Sequence, residues 1–524
     1  MMNWGAYASD TELGLQNLLL RPAQIAWGFL FGHIYTYYGQ KGRSNREIWL
    51  TLPRFTAVAM SIKVNFAYRS LIVVSFYLMS FISFPYISRI FGVANLGLVN
   101  FVDNTVNYFL LFATMGINVL GVREIAATKS DLKLCSQVFA NVLGINLLFT
   151  AITIIIYLII VVNVPKLSQY SELFYIGSAK IVMTAFMVEW FFTGIENFRY
   201  IAIRSIAIRA CYIAAIFIFI RQPEQYRLYW WMSVAVVVIN AVVNMAYAQK
   251  YIDFKWRQLF SLRYMRSNIT LGIYAIMTSM YLTFNVMYLG LVSDNTEVGY
   301  YTTAFKLYSV VLGFFTAFAN VMLPRMSALI AEGDGERFEQ LIDKSFAAVA
   351  TFSTPIILCS IILAPQIIFA LAGKGYEGAI LPMQIIMPAI VLVGASQVMT
   401  LQVLMPMKKD RVLLYISIIG AAVSLMLNLL IIKRLQSVGS AIVLLSAEVI
   451  VTLLYIIYLR KNLGIRIPVM IFFREFALCI PSTIICIAAS ALVTNPFISL
   501  AVGGALAIAV WCALHPKELK MLRP

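Results

Sequence analysis

From Ser70 onward the chain is an almost unbroken succession of apolar runs, each near the ~20 residues a helix needs to cross a membrane. In hydrocarbon every backbone N–H and C=O must be satisfied by the structure itself, which leaves helices or closed barrels, and runs of this length select helices. By length the runs number about 14, six before residue 250 and eight after it. Composition agrees: 61% of residues are hydrophobic and 12% charged, where soluble domains carry about 25% charged residues. The expected fold is an all-α polytopic membrane protein.

The formal net charge of +17 does not indicate a nucleic-acid partner, because Lys and Arg fall in short clusters between the apolar runs, where they orient helices. Starting from Lys63 and Arg69 on the cytoplasmic side, they favour that side by roughly three to one, which puts both termini in the cytoplasm. The six cysteines show no C-x-x-C spacing, and two histidines do not make a histidine metal site. Residues 1–59 differ from the rest: a polar start, a short aromatic run from Ala23 to Tyr38 and a charged KGRSNREIW segment. That run reads as interfacial rather than spanning. The segment is expected to be an upstream extension, with translation beginning at Met60.

A weak repeat divides the remainder. Gly97 and Gly299 are separated by the same interval as Arg123 and Arg325, with six helices between equivalent positions. An even number gives parallel repeats with a cavity between them. The expected organisation is a six-helix half over 60–260, a second over 261–460, and two additional helices over 461–524.

Ionisable residues inside the runs carry the functional signal, since each costs roughly 2.5–3.5 kcal/mol or more at mid-membrane and so faces a protein interior or a wet cavity. The embedded cations are Lys180, Arg204, Arg209, Lys306 and Arg474, and the embedded anions Asp103, Glu189, Glu448 and Glu475. Glu189 lies near a helix end and Arg474 beside Glu475, so pairing is the plain reading there. Arg204 and Arg209 are about 140° apart around one helix and cannot share a narrow face; one is expected at the cavity and the other paired to a neighbouring helix. Lys306 corresponds under the repeat to Asn104, beside Asp103, so an Asp103 to Lys306 bridge between the halves is a candidate gate or ion-coupling element. Pro85 interrupts the first run and is expected to kink it. Gly92, Asn95 and Gly97 form a turn signal, and Gly333-Asp334-Gly335 lacks the Lys-Ser/Thr of a phosphate loop.

The segments FPYISRIFGVANLGLVNF, MGINVLGVREIA, VEWFFTGIENFRYIAIRSIAIR, TEVGYYTTAFKLYS and LPRMSALIAEGD resemble, in that order, motifs of the Wzx-type polysaccharide or O-antigen flippases. These belong to the multidrug/oligosaccharidyl-lipid/polysaccharide (MOP) exporter superfamily. The block from Trp190-Phe191-Phe192 to Arg204 is the most specific, and the likeness covers about 65–345; residues 1–59 match nothing in it. The resemblance implies two pseudo-symmetric lobes around a central cationic cavity, in a bacterial inner membrane. It implies a transporter, not an enzyme, that moves an undecaprenyl-pyrophosphate-linked oligosaccharide from the cytoplasmic to the periplasmic leaflet by alternating access. Arg89, Lys180, Arg204, Arg209 and Lys306 are then candidates for the pyrophosphate or anionic sugars, since guanidinium and ammonium groups match phosphate oxygens. No cofactor is implied; turnover would draw on protons, sodium or the membrane potential. A polysaccharide polymerase and a chain-length regulator are candidate partners. The rival readings are a drug/cation antiporter of the same superfamily, for which embedded carboxylates are too few, and a membrane-embedded glycosyltransferase or polymerase, for which no large loop or acidic metal site is present.

Overall fold

The computed structural model describes residues 62–253, 262–465 and 467–516; the expected extension over 1–59 and the start at Met60 lie outside them. The described chain is helical. In order its helices are α1 (Ile62–Thr114), α2 (Ile117–Thr128), α3 (Leu132–Asn163), α4 (Pro165–Ser168), α5 (Ser171–Thr184), α6 (Glu189–Gly194), α7 (Phe198–Phe219), α8 (Tyr226–Ala248) and α9 (Met265–Val292). There follow α10 (Asn295–Glu332), α11 (Gly335–Ile362), α12 (Ala364–Ala372), α13 (Ile380–Ile386), α14 (Ala389–Gln397), a π-helical stretch (Val398–Leu404), α15 (Asp410–Asn462), α16 (Val469–Leu478), α17 (Ile480–Leu492) and α18 (Pro496–Leu514). Large apolar side chains such as Phe314, Met470 and Leu492 stand exposed, the surface that lipid covers.

Ten described helices are long and apolar enough to cross a membrane, or eleven if the bent pair α16 and α17 is one span, against the about 14 expected from run length. The difference lies in how the runs are joined. The 53-residue helices α1 and α15 each cover two expected spans and are broken by a non-helical residue, Gly92 (φ 67, ψ 174) and Gln436 (φ 50, ψ −124). Helix α9, 28 residues long, lies over a further expected span.

The break in α1 corrects the expectation about Pro85. The helix runs through Pro85, whose carbonyl accepts from Ser88 Oγ at 3.2 Å and Arg89 Nη1 at 3.1 Å, and it breaks at Gly92 instead. Proline removes one backbone donor, whereas the break at Gly92 takes a positive φ that glycine reaches without strain. The turn signal was the stronger of the two.

Beyond the break, α1 crosses α10 so closely that a Cβ on Gly97 would lie 1.8 Å from the Asn295 carbonyl oxygen and 2.7 Å from the Gly299 nitrogen. A Cβ on Gly299 would meet the Val93 carbonyl at 2.3 Å. One turn further, Asn100 Nδ2 donates to Thr302 Oγ1 at 2.9 Å, a pair 202 positions apart. Gly97 with Gly299 and Asn100 with Thr302 share one offset, so equivalent positions of the two halves face each other across a local two-fold axis. The repeat read from sequence is thus a contact surface.

Two further devices tie the helices together. Ser437 donates its backbone N–H, at 3.1 Å, and its hydroxyl to the Glu297 carboxylate, which caps the second part of α15 from the start of α10. At the C-terminal end, buried Glu475 of α16 accepts from Arg474 Nη2 at 2.8 Å and meets His515 Nε2 at 2.7 Å just beyond α18. The expected pairing of Arg474 with its neighbour is what the structure shows.

Candidate functional site

Helix α1 beyond Gly92 presents Asn100, Asp103, Asn104 and Asn107 at helical i, i+3, i+4, i+7 spacing. A polar stripe on an apolar spanning helix turns inward, and here it meets Lys180 of the first half, with Lys306 of the second half within its electrostatic reach. From α5, Lys180 Nζ donates to Asp103 Oδ1 at 2.5 Å and to Asn107 Oδ1 at 2.8 Å, while Asn107 Nδ2 donates to Asp103 Oδ2 at 3.1 Å. From α10, Lys306 interacts electrostatically with the same carboxylate. All three groups are deep. Lys180 is about 14 Å from the start of α5 and Lys306 about 16 Å from the start of α10, near the middle of a ~30 Å core.

Local packing explains the placement of Lys180. Trp230 Nε1 donates to the Leu173 carbonyl at 2.8 Å and Tyr157 Oη to the Phe174 carbonyl at 2.7 Å, fixing the first turn of α5. Gly177 then lets α5 approach α1, since a Cβ there would be 2.7 Å from Val106. The Lys180 side chain is 12% exposed and that of Asp103 35%, so the lysine is enclosed while the carboxylate borders open space. Lys180 Nζ also stands 5.8 Å from the Trp230 ring centroid.

The other expected cations are placed elsewhere. Arg204, buried in α7, donates to Glu189 and to Asn244 Oδ1, and Asn244 Nδ2 in turn donates to the Met187 carbonyl. That network covers a break between α5 and α6 where Val188 is left-handed (φ 36, ψ 32), and Asn146 Nδ2 covers the Ala185 carbonyl at 3.2 Å beside it. Backbone groups freed by a break inside a membrane need such partners, so Arg204 in this conformation is a brace. Arg204→Met is expected to lower stability by about 3 kcal/mol, because it strands Glu189 and Asn244. Glu189→Gln is expected to cost less, as the Glu189 side chain is 42% exposed. Thermal unfolding of the purified variants measures both.

Arg209 of α7 is half-buried, its guanidinium 4.9 Å from the Phe76 ring centroid and its Nη1 3.5 Å from the Ile72 carbonyl. Of the two roles expected from their 140° separation, the paired one falls to Arg204, while Arg209 faces the first part of α1. Arg89 lies on the far side of the Gly92 break, exposed, and donates to the carbonyls of Pro85 and of Ala370 near the end of α12. Of the six expected site residues, only Asp103, Lys180 and Lys306 come together. The expected Asp103 to Lys306 bridge has a different primary partner, Lys180, because Gly177 brings α5 within hydrogen-bond reach. Asn100 and Asn107 were missed, although the i, i+3, i+4, i+7 stripe could have revealed them.

In this conformation the seam between the halves is held at both ends. At the Gly92 end, besides the glycine crossing, Tyr376 Oη donates to the Ser88 carbonyl at 3.0 Å and Lys166 Nζ to the Ser293 carbonyl at 2.9 Å. At the opposite end a Cβ on Gly116 would meet the Asn268 carbonyl at 2.6 Å, and Arg123 Nη2 reaches Ser267 Oγ at 3.2 Å.

Residues 62–330 match the family model described as polysaccharide biosynthesis protein. The chain belongs to that family. Among curated proteins it is 23% identical over 409 residues to a protein of Escherichia coli (strain K12) named "Putative O-antigen transporter", covering 77% of this chain and 98% of the other. A protein of the same name from Shigella dysenteriae is 22% identical over 387 residues, covering 72% and 94%. Among solved structures, the lipid II flippase MurJ in its inward closed conformation aligns with a TM-score of 0.67 at 12% identity, over 87% of this chain and all of that one. An inward-facing MATE multidrug resistance transporter of the MOP superfamily aligns at 0.52 and 14% identity, over 80% and 98%. The fold of this polysaccharide biosynthesis family member is the two-lobed MOP fold, as the resemblance implied.

Proposed function

We propose that this protein is a flippase that carries an isoprenoid-pyrophosphate-linked oligosaccharide from the cytoplasmic to the periplasmic leaflet of a bacterial inner membrane. One observation carries the reading: the Asp103 carboxylate, at mid-membrane depth, is hydrogen-bonded to Lys180 of one half and also acts electrostatically on Lys306 of the other. An arriving diphosphate carries more charge than Asp103 and offers more acceptor oxygens, so it competes for both lysines and draws the halves together around itself. Once it leaves, Asp103 again neutralises Lys180, which prevents an unpaired cation from remaining at that depth. The chemistry is transport by alternating access, with no covalent step. The family and the names of its curated relatives support this reading, as does the resemblance in the Trp190 to Arg204 block. A drug/cation antiporter would need a carboxylate open to its cargo; Asp103, which borders open space, is already ion-paired, and Glu448 is enclosed.

The test is leaflet translocation of an undecaprenyl-pyrophosphate-linked glycan in vesicles with and without the purified protein. Protein-dependent appearance of the glycan on the far leaflet is the expected result. Equal rates in protein-free vesicles would overturn the reading. With both termini in the cytoplasm, a polymerase and chain-length regulator acting on the far side would receive the product.

A further inference from the structure

Glu448 lies on the second part of α15, about 18 Å past the Gln436 break and about 21 Å before the end of the helix at Asn462, and therefore near mid-membrane. It is 3% exposed. Among the described residues its carboxyl forms neither an ion pair nor a hydrogen bond, unlike Asp103, Glu189 and Glu475, each of which has a cationic partner. An ionised carboxylate enclosed in a low-dielectric interior without a partner is prohibitively costly, and such a group neutralises itself instead. Something must therefore occupy it.

The surroundings decide what. The residues one turn away on the same face are Leu444, Leu445, Val451 and Thr452. Thr452 Oγ1 is already engaged, 2.9 Å from Ser396 Oγ and 3.3 Å from the Leu392 carbonyl. A metal cation such as sodium, calcium or magnesium takes a shell of several oxygens, and one occupied hydroxyl among three aliphatic side chains does not supply it. The elements packed against α15 are α9, α10, α13, α14 and the π-helical stretch. Away from their ends they carry, as titratable groups in the sequence, Tyr274, Tyr281 and Tyr288 of α9 and Tyr300, Tyr301, Lys306, Tyr308 and Arg325 of α10; α13, α14 and the π-helical stretch carry none. The electrostatic partner of Lys306 is Asp103. Among the described residues no basic side chain pairs with Glu448.

We propose that Glu448 is a proton-binding site of this transporter. Its carboxyl holds the proton while the site is closed. It releases the proton to water when the second part of α15 tilts about the Gln436 break, and rebinds one from water on closing. The only covalent change is the O–H bond lost and remade. Turnover would then be linked to proton movement through the second half of the molecule, a coupling that rests on the transport reading; the protonation itself does not.

Infrared spectra of the full chain in lipid vesicles, compared with Glu448→Gln and Glu448→Asp, test the site directly. The expected result is a carbonyl stretch of an un-ionised carboxyl at neutral pH, shifted in D2O, missing from Glu448→Gln and displaced in Glu448→Asp. Because glutamine reproduces the shape of the neutral acid, Glu448→Gln should unfold at the wild-type temperature. Wild-type and Glu448→Gln spectra that coincide in the un-ionised carboxyl region would show an ionised carboxylate and end the proposal. In the glycan translocation assay under an imposed pH gradient, Glu448→Gln should no longer respond to the gradient. A response equal to wild type would remove the coupling role. Absence of translocation by the wild type would instead remove the transport reading and leave the infrared result standing.

Discussion

Gly97→Leu is expected to abolish translocation and to destabilise the protein by about 3 kcal/mol, at the upper end of what overpacking costs. A Cβ at this position falls 1.8 Å from the Asn295 carbonyl oxygen, so α1 and α10 must move apart before even the first side-chain carbon fits. Neither neighbour is a flexible side chain; both are backbone, and one belongs to the partner glycine of the repeat. The crossing therefore cannot relax locally, and the damage spreads to the Asn100 to Thr302 hydrogen bond one turn away. Gly504→Leu is the matched control, because nothing lies within 4 Å of a Cβ at Gly504, and it is expected to leave both stability and transport near wild type. Thermal unfolding and the vesicle assay on the two variants make the comparison. Equal behaviour of Gly97→Leu and Gly504→Leu would show that the seam does not close at this crossing.

Asp103→Asn is expected to reduce translocation about 100-fold, the equivalent of ~2.7 kcal/mol in the barrier. It leaves Lys180 enclosed with only Asn107 and removes the charge that Lys306 senses from the other half. A fully buried pair broken in this way costs 3–5 kcal/mol of stability; with the Asp103 side chain one-third exposed, about 2 kcal/mol is expected. Two companion variants separate structure from transport. Lys180→Met should lower stability and transport together, since Lys180 is the hydrogen-bonded partner. Lys306→Met should spare stability and lower transport, since its value lies in meeting the cargo across the seam. The swap Asp103→Lys with Lys180→Asp preserves one of each charge beside Asn107 and should regain stability relative to either single substitution. If the double variant is no more stable than the singles, the pair does not organise this part of the fold.

The apolar run lengths alone establish an all-helical membrane chain, because lipid offers the backbone no alternative partners. The glycine-marked repeat was also legible: Gly97 and Gly299 are small for the same steric reason in sequence and in space. Pairing of Arg474 with Glu475 and a brace role for one of the two arginines of α7 followed from adjacency and helical angle. What one-dimensional spacing could not supply was the choice among partners. The charges on α1, α5 and α10 are equally embedded by sequence, and only the approach of α5 at Gly177 decides that Asp103 takes Lys180 while Lys306 stands across the seam. Likewise, Arg204 is absorbed by a helix break at Val188 whose strained backbone depends on tertiary support. Hydrophobic periodicity fixes which residues must leave water, since that depends on each side chain alone; which buried charges meet depends on helix crossings, and these are set by steric fit between segments distant in the chain.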